Sequence, residues 1–150
     1  MTKTPGGQAA DELDLQYREI RYGKVSSVEE AAAARGVPVA AVVKSLLVRR
    51  GEDDHLLVLI PGDRSISWPK LRALLGVSRL SMPDADTAFA VTGYRRGTIT
   101  PLGLDLPVVV DELLVGTDIT LGSGEPEVAI AVGADELILA YSATVADVAD

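Results

Sequence analysis

The chain has 150 residues, 47% of them hydrophobic, and a formal net charge of −8. This length and composition fit one domain with a single core. There is no cysteine and only one histidine, which excludes thiol catalysis, disulfides, thiolate metal sites and a histidine-rich metal cluster. We therefore expect no metal and no cofactor, and any chemistry must rest on Lys, Asp, Glu, Ser, Thr, Tyr, backbone groups or the substrate itself.

The charges are distributed unevenly along the chain. All 14 Lys and Arg lie within residues 1–96, whereas residues 97–150 carry 10 of the 22 acids and no base. A local basic patch can hold a few phosphates, but such a chain is poorly suited to coat a long duplex. A short nucleic-acid end is therefore a compatible partner, and DNA is not expected. No apolar run approaches the roughly 18 residues of a membrane span, and the N-terminus lacks a basic start with an apolar middle, so we expect a cytoplasmic protein without membrane contact.

The N-terminal segment, residues 1–12, contains two glycines and has no periodicity. This composition predicts a flexible lead-in, followed by a single domain over residues 13–150. A capping-box pattern at Ser27 then predicts a helix, Val28–Arg35, which Gly36 is placed to end.

Two apolar runs, Val42–Val48 and Leu56–Ile60, flank a polar turn and predict an antiparallel hairpin. His55 adjoins this turn, and we interpret it as a solvated loop residue. Strands outnumber helices and alternate with them irregularly, which indicates an α+β fold rather than a doubly wound sheet. The other predicted elements are helices at Trp68–Leu75 and 85–90, capped by Ser67 and Asp84, and strands at Val108–Val110 and Val128–Val132.

Lys44 lies within the first of these apolar runs. If the run is extended, alternation places Lys44 on one face with Val42, Leu46 and Val48, where its ammonium needs a carboxylate, a backbone carbonyl or a ligand. Alternatively, Lys44 is the first residue of the strand, and its aliphatic side chain extends so that the ammonium lies in solvent. Periodicity alone leaves both alternatives open.

The segment 92–103, TGYRRGTITPLG, carries three glycines and a proline and predicts a long, shaped loop. Gly97 lets the backbone approach a ligand closely, and Pro101 restricts the far end. A purely structural turn would show the same glycines, so both interpretations stay open. Arg95 and Arg96 flank the loop and are the candidates for phosphate contacts.

A second glycine-rich turn, Gly122 to Gly124, is by itself more typical of a hairpin than of a ligand cradle. Asp111 ends a strand and is more typical of a helix cap than of a catalytic acid. The sequence contains no GxSxG elbow, GxGxxG fingerprint, Walker loop or metal-ligand spacing. Serine-hydrolase, dinucleotide and nucleoside-triphosphate functions therefore lack support.

Taken in order, the motifs VVKSLLV, IPGD, TGYRRGTITPLG, VVVDE and GSG resemble the YbaK/prolyl-tRNA-synthetase-associated editing domain family over about residues 15–140. The family's Lys-Thr-Leu motif is matched by Lys44, Ser45 and Leu46, and its G-x-x-x-P loop by Gly97 to Pro101. The departures are Ser45 for the usual Thr, Thr98 where many members have Gly, and Glu125, Pro126 and Glu127 where many members have a basic residue and Gly.

The resemblance implies a mixed, barrel-like β-sheet surrounded by short helices. It also implies an aminoacyl-tRNA deacylase that hydrolyses the ester between an amino acid and the tRNA 3′ end, with a ribose hydroxyl of the substrate activating the water. Lys44 is implied as the essential catalytic residue, which holds the terminal phosphate or the adenosine end. The implied substrate-binding residues are Tyr22, Gly97, Thr98, Ile99, Thr100, Pro101, Gly122, Ser123 and Gly124.

The resemblance thus predicts a trans-editing hydrolase for mischarged proline tRNA carrying alanine or cysteine. Its expected partner is the aminoacyl-tRNA 3′ end, and an aminoacyl-tRNA synthetase is a further candidate partner. The alternative is a non-catalytic module on the same fold that recognises a tRNA end, a nucleotide or a synthetase. The acidic C-terminal third of the chain favours this alternative.

Overall fold

The computed structural model describes residues 3–150, and this part of the chain forms five α-helices and seven β-strands. Two short 3-10 turns, Val39–Ala41 and Glu112–Leu114, lie between them. The helices are α1 (Pro5–Glu12), α2 (Val28–Arg35), α3 (Trp68–Leu75), α4 (Ala85–Thr92) and α5 (Ala134–Tyr141). The strands are β1 (Tyr17–Arg21), β2 (Lys44–Gly51), β3 (Asp54–Ile60), β4 (Val108–Asp111), β5 (Asp118–Gly122), β6 (Val128–Gly133) and β7 (Thr144–Ala146).

The strands form two sheets that meet at one corner. The smaller sheet is antiparallel with the order β1-β6-β5, and the larger is mixed with the order β2-β3-β4-β7. Val42, just before β2, bridges to Thr120 of β5 and joins the sheets there. The α+β class is confirmed. Instead of one barrel-like sheet, the described strands form two open sheets, because β1 and β7 keep a free edge.

Side-chain alternation on β2 and β3 divides the interior into two cores. Leu57 and Leu59 face a main core between the sheets, together with residues of β4, β5 and β6. Leu56 and Val58 face a second core that α3 covers through Leu71. Because β3 is buried on both faces, its sequence is continuously apolar rather than alternating.

The helix caps predicted from sequence are confirmed. The backbone N–H of Glu30 donates to the Ser27 hydroxyl at 3.1 Å, and Gly36 ends α2 with φ +72°. Ser67 and Asp84 likewise cap α3 and α4. These caps are predictable because the bonding partners lie only three residues apart. No helix within residues 3–150 is both long and apolar enough to cross a bilayer.

The N-terminal segment differs from the expected flexible lead-in, because residues 5–12 form α1. The helix packs through Gly6, Gly7, Ala9 and Ala10, which are all buried. The Gly6 N–H donates to the Ser123 carbonyl at 2.8 Å. Sequence periodicity missed this helix because glycine and alanine allow close packing without the large apolar side chains that make a pattern visible.

His55 is a buried strand residue, and its interpretation as a solvated loop residue is wrong. It is the second residue of β3 and is 8% exposed. The turn is shorter than the polar sequence suggested, since only Glu52 and Asp53 lie between the strands and Asp53 adopts φ +55°. Alternation then aims His55 toward the same face as Leu57, where its Nε2 has no hydrogen-bond partner in residues 3–150.

Candidate active site

A cavity of about 490 Å³ lies along the outer edge of β2. Its volume is within the range of about 300–1,000 Å³ that is usual for small-molecule sites. The residues that line it are Val25, Ser26, Ser27, Val28, Arg35, Val42, Val43, Lys44, Ser45, Leu46, Leu47, Met82, Pro83, Ala85, Ala88, Arg96, Gly97, Ile99 and Gly122.

The edge of β2 is open only where the cavity lies. At one end the Val43 N–H donates to the Thr120 carbonyl at 2.8 Å, and at the other end Arg49 and Ser81 exchange two backbone hydrogen bonds. Backbone groups of alternate residues point to the same side of a strand, so those of Ser45 and Leu47 also point outward. Within residues 3–150 they have no backbone partner on that side. The cavity is therefore a gap at a strand edge with free donors and acceptors.

Lys44 is the first residue of β2, and its ammonium has a protein partner. Its Nζ donates to the carbonyl oxygen of Arg64 at 2.8 Å, and the side chain is half-buried. An ammonium has three donors. The other two have no acceptor in the described part of the chain, so Lys44 is fixed in place and can still bind a ligand oxygen.

Ser45 points away from Lys44, toward the main core. Alternation places it on the face of Val43 and Leu47, which both belong to that core. Its Oγ is buried and has no hydrogen-bond partner among residues 3–150. Ser45 thus offers the cavity its outward backbone groups, while its hydroxyl lies buried on the face of the main core.

The loop from Gly97 to Ile99 forms the wall opposite β2. Gly97 has φ +88°, a conformation that favours glycine. The N–H groups of Gly97 and Ile99 have no acceptor within residues 3–150. Gly122 lets this loop approach closely, since a Cβ there would lie 2.7 Å from the Ile99 carbonyl oxygen. Two residues that line the cavity thus keep unpaired backbone donors, and the close approach at Gly122 fixes the position of their loop.

Thr98, Thr100 and Pro101 of the predicted loop do not line the cavity. Thr98 Oγ1 donates to the Arg95 carbonyl at 2.7 Å, and the Thr98 carbonyl accepts the Gly124 N–H at 3.0 Å. Thr100 and Pro101 are buried. These residues shape the loop from beneath rather than reaching the cavity.

The turn at Gly122 to Gly124 connects this loop to α1. The Ser123 hydroxyl donates to the Val128 carbonyl at 2.7 Å, and the Ser123 carbonyl accepts the Gly6 N–H. A Cβ on Gly6 would lie 3.0 Å from the Ser123 backbone. The N-terminal helix thus supports the Gly122–Gly124 turn, and this turn supports the Gly97–Ile99 wall.

A buried tyrosine, Tyr94, secures the far end of the loop, and the half-buried Tyr141 packs against the main core. The Tyr94 hydroxyl donates to the Leu102 carbonyl at 2.7 Å. Burial raises the pKa of Tyr94 and raises the pKa of Tyr141 to about 12. The Tyr94 hydroxyl therefore stays protonated at neutral pH, as a hydrogen-bond donor to the Leu102 carbonyl must.

Arg35 is a cavity residue that sequence reasoning missed. Its Nη1 donates to Thr120 Oγ1 at 3.1 Å, its Nη2 donates to the Tyr22 hydroxyl at 3.0 Å, and its guanidinium lies 5.2 Å from the Tyr22 ring centroid. Tyr22 itself does not line the cavity, but it holds Arg35 there. From sequence, Arg35 looked like an ordinary basic residue in the last turn of α2, where a cation favours the helix dipole.

The cavity lining is strongly biased in charge. It includes three cations, Arg35, Lys44 and Arg96, and no Asp or Glu. The chain as a whole has 22 acids and 14 bases. Asp111 does not line the cavity. Its carboxylate accepts the N–H groups of Leu113 and Val148, which confirms its role as a cap. This local excess of positive charge favours an anionic ligand.

The described residues contain no group of three His, Asp or Glu side chains placed to hold a metal ion.

The sequence and the fold match those of a known family. Residues 23–139 match the aminoacyl-tRNA editing domain family, and the chain belongs to it. The resemblance inferred from the motifs is thereby confirmed. Two crystal structures are similar over nearly the whole length. One is a hypothetical protein with 28% identity and a TM-score of 0.89, which covers 97% of this chain and 99% of its own. The other is a proposed trans-editing enzyme for prolyl-tRNA synthetase with 27% identity and a TM-score of 0.86, which covers 97% and 95%.

Curated relatives include synthetases. The proline–tRNA ligase of Desulfovibrio desulfuricans is 41% identical over 98 residues, which is 65% of this chain and 17% of the ligase. The chain therefore spans about a sixth of the length of the ligases it matches.

Proposed function

We propose that this protein is an aminoacyl-tRNA deacylase that acts in trans on mischarged tRNA, with the cavity beside Lys44 as its active site. One observation carries the proposal: in a chain of net charge −8, the cavity is lined by three cations and no carboxylate. A phosphate-bearing nucleotide end fits such a lining, and a cationic or purely apolar ligand does not. Membership of the editing domain family supports the same assignment.

Lys44 has the role of holding the nucleotide end of the substrate. Its ammonium is positioned by the Arg64 carbonyl and keeps two donors for a phosphate or ribose oxygen. Arg35 and Arg96 add positive charge to the same cavity. This arrangement favours positioning of the ester over proton transfer by the protein.

The Gly97–Ile99 wall has the role of binding the ester carbonyl. Water adds to the carbonyl carbon, the bond from that carbon to the ribose oxygen breaks, and the ribose oxygen takes up the proton that the water loses. The ribose hydroxyl next to the ester activates the water. The unpaired N–H groups of Gly97 and Ile99 can stabilise the oxyanion that develops on the carbonyl oxygen.

We propose that the amino acid removed is small, and that the substrate is proline tRNA carrying alanine or cysteine. The apolar walls, Val43, Leu47 and Ile99, lie beside the loop that binds the ester. A synthetase gains only about 1–3 kcal/mol of discrimination per methylene, so it cannot reject small amino acids by binding alone. A second site that admits and hydrolyses only these small products supplies the missing discrimination. The similarity to a proposed trans-editing enzyme for prolyl-tRNA synthetase supports this choice.

A non-catalytic module that binds a tRNA end is the second candidate. One observation favours it, because no imidazole or carboxylate that could act as a general base lines the cavity. Turnover separates the two candidates, since a module binds its ligand in stoichiometric amounts without releasing the amino acid.

The test is release of radiolabelled amino acid from a panel of mischarged tRNAs at a hundredfold excess of tRNA over protein. The panel contains alanine and cysteine on proline tRNA, correctly charged proline tRNA, and alanine on its own tRNA. We expect many turnovers on at least one mischarged proline tRNA and none on the correctly charged one. Release of no more than one equivalent from every tRNA, by protein with a cooperative unfolding transition, would leave only the binding module.

A further inference from the structure

An exposed aromatic ring and two arginines lie at the mouth of the cavity. Phe89 is the chain's one phenylalanine and is 45% exposed on α4. The Arg95 guanidinium lies over its ring, 5.1 Å from the centroid. We call Phe89, Arg95 and Arg96 the Phe89 platform.

The platform is continuous with the active-site cavity. It lines a second depression of about 510 Å³ together with Ala85 and Asp86. Ala85 and Arg96 line both this depression and the main cavity. A chain whose end occupies the main cavity can therefore pass directly over Phe89.

The charge of the platform matches a nucleic-acid backbone. Arg95 and Arg96 are both exposed, and neither forms a salt bridge within residues 3–150. Asp86 is the one acid that lines the depression, so positive charge is in excess there. Single-stranded nucleic acids are held by this combination, in which bases stack on aromatic rings and cations contact the phosphates.

We propose that the Phe89 platform binds the unpaired nucleotides that precede the terminal aminoacylated nucleotide of tRNA. Phe89 stacks against one base, and Arg95 and Arg96 contact the phosphates on either side. This inference rests on the proposed function, because it takes the cavity to hold the end of the same strand. It assigns tRNA contact to α4 and the start of the glycine-rich loop, and not to the acidic C-terminal third.

The first test measures binding and needs no hydrolysis. The dissociation constant of uncharged proline tRNA is compared with that of the same tRNA cut back to its last base pair, for wild type and for Phe89→Ala. We expect Phe89→Ala to weaken binding of the full tRNA roughly 5- to 100-fold and to leave the shortened tRNA unchanged. Alanine keeps the helix, and Phe89→Tyr should restore binding. Leu139→Ala is the matched control, an exposed apolar residue on α5 that is 81% exposed.

The second test concerns the phosphates. Arg95→Ala should reduce the slope of log K against log salt by about 0.7, the value for one phosphate contact of a single strand. Arg18→Ala, an exposed arginine on β1, is the control and should leave the slope unchanged. Arg96 is not a clean variant because it also lines the main cavity.

The outcomes separate this inference from the proposed function. Loss of full-tRNA binding in Phe89→Ala supports the platform, even if no mischarged tRNA is hydrolysed. If the enzyme hydrolyses mischarged tRNA while Phe89→Ala binds both tRNAs like wild type, the platform does not contact RNA and its exposed ring is free for a protein partner. Equal weakening of both tRNAs would also overturn it, because the contact would then lie on the paired stem.

Discussion

At the residue scale, two neighbours on one strand have opposite surroundings. Lys44 faces away from the main core and donates to the Arg64 carbonyl, whereas Ser45 faces that core with an unpartnered hydroxyl. Alternation left the position of Lys44 open between a residue inside the strand and its first residue, and the structure shows it as the first residue of β2. Alternation could not predict the carbonyl of Arg64, because that contact joins residues 20 positions apart.

The Ser45 hydroxyl costs free energy, and we predict that Ser45→Ala increases the free energy of unfolding by about 1 kcal/mol. The reason is that a buried hydroxyl without a partner has lost its hydrogen bonds to water. Urea unfolding at neutral pH measures the change. Ser123→Ala is the matched control, because that buried hydroxyl does bond to Val128, and its removal should destabilise by about 1–3 kcal/mol. A loss of stability in Ser45→Ala as large as in Ser123→Ala would show that the Ser45 hydroxyl has a partner.

At the scale of elements, the proposed active site is supported by a series of contacts that runs from α1 through the Gly122–Gly124 turn to the Gly97–Ile99 wall. Its central contact is the close approach of Gly122 to the Ile99 carbonyl. The support begins at Thr4, whose hydroxyl caps α1 and donates to the Glu19 carboxylate at 2.6 Å.

We predict that Gly122→Ala reduces hydrolysis of mischarged tRNA at least tenfold while the chain stays folded. A Cβ at this position would lie 2.7 Å from the Ile99 carbonyl oxygen and 2.9 Å from that of Thr98, so the loop must move. Initial rates together with a thermal unfolding curve measure the effect. Gly51→Ala is the control, because its Cβ would meet only Asp54 Cβ at an ordinary 3.8 Å. Wild-type rates in folded Gly122→Ala would mean that the loop position does not control the reaction.

Docking of α1 should depend on pH through Glu19. Burial raises the pKa of Glu19, but the hydrogen bonds from the Thr4 hydroxyl and N–H, with the charge of Arg21, lower it further, so the net shift is downward. A lowered folded-state pKa stabilises the fold above the unfolded pKa of about 4.3, and this stabilisation is lost as the pH falls through the folded value.

We therefore predict that Glu19→Gln lowers the free energy of unfolding by about 1 kcal/mol at pH 7 and that the difference from wild type shrinks as the pH falls below the unfolded value of about 4.3. Urea unfolding over that pH range measures it. Glu12→Gln, an exposed change on α1, should behave like wild type throughout. A difference that is constant with pH would contradict the ionic role of Glu19.

The sequence predicted the elements that depend on contacts between residues close together in the chain, and it missed those that depend on tertiary packing. The caps at Ser27 and Ser67 were predictable, because a side chain bonds the backbone three residues on. Helix α1 was missed because it packs through glycine and alanine, and His55 was misplaced because a two-residue turn is shorter than its polar flanks suggest. For the site, the Gly97 loop was predictable from its glycines, whereas Arg35 required knowledge of how α2 packs on β5.

At the scale of the whole molecule, the fold brings three cations together at one cavity in a chain whose net charge is −8. The three cations of the cavity come from α2, β2 and the segment after α4. The acid-rich residues 97–150 contribute only glycine and isoleucine residues to its lining. An overall negative chain thus carries a local group of cations, which fits the proposed contact with one RNA end better than contact with a long duplex.

Lys44 is the residue that we propose makes this cavity hydrolytic. The measurement that tests this proposal most directly is multiple-turnover release of amino acid from the mischarged tRNA that wild type hydrolyses, compared in Lys44→Ala and Lys70→Ala. Lys70 is a matched control, because its Nζ also donates to a backbone carbonyl, that of Ala149 at 3.0 Å, but it does not line the cavity. We predict that Lys44→Ala lowers kcat/KM at least a hundredfold with the fold intact, while Lys70→Ala stays within about threefold of wild type, since a positioning contact contributes about 3 kcal/mol or more to the transition state. Wild-type hydrolysis by folded Lys44→Ala would contradict the account and place the reaction elsewhere on the chain.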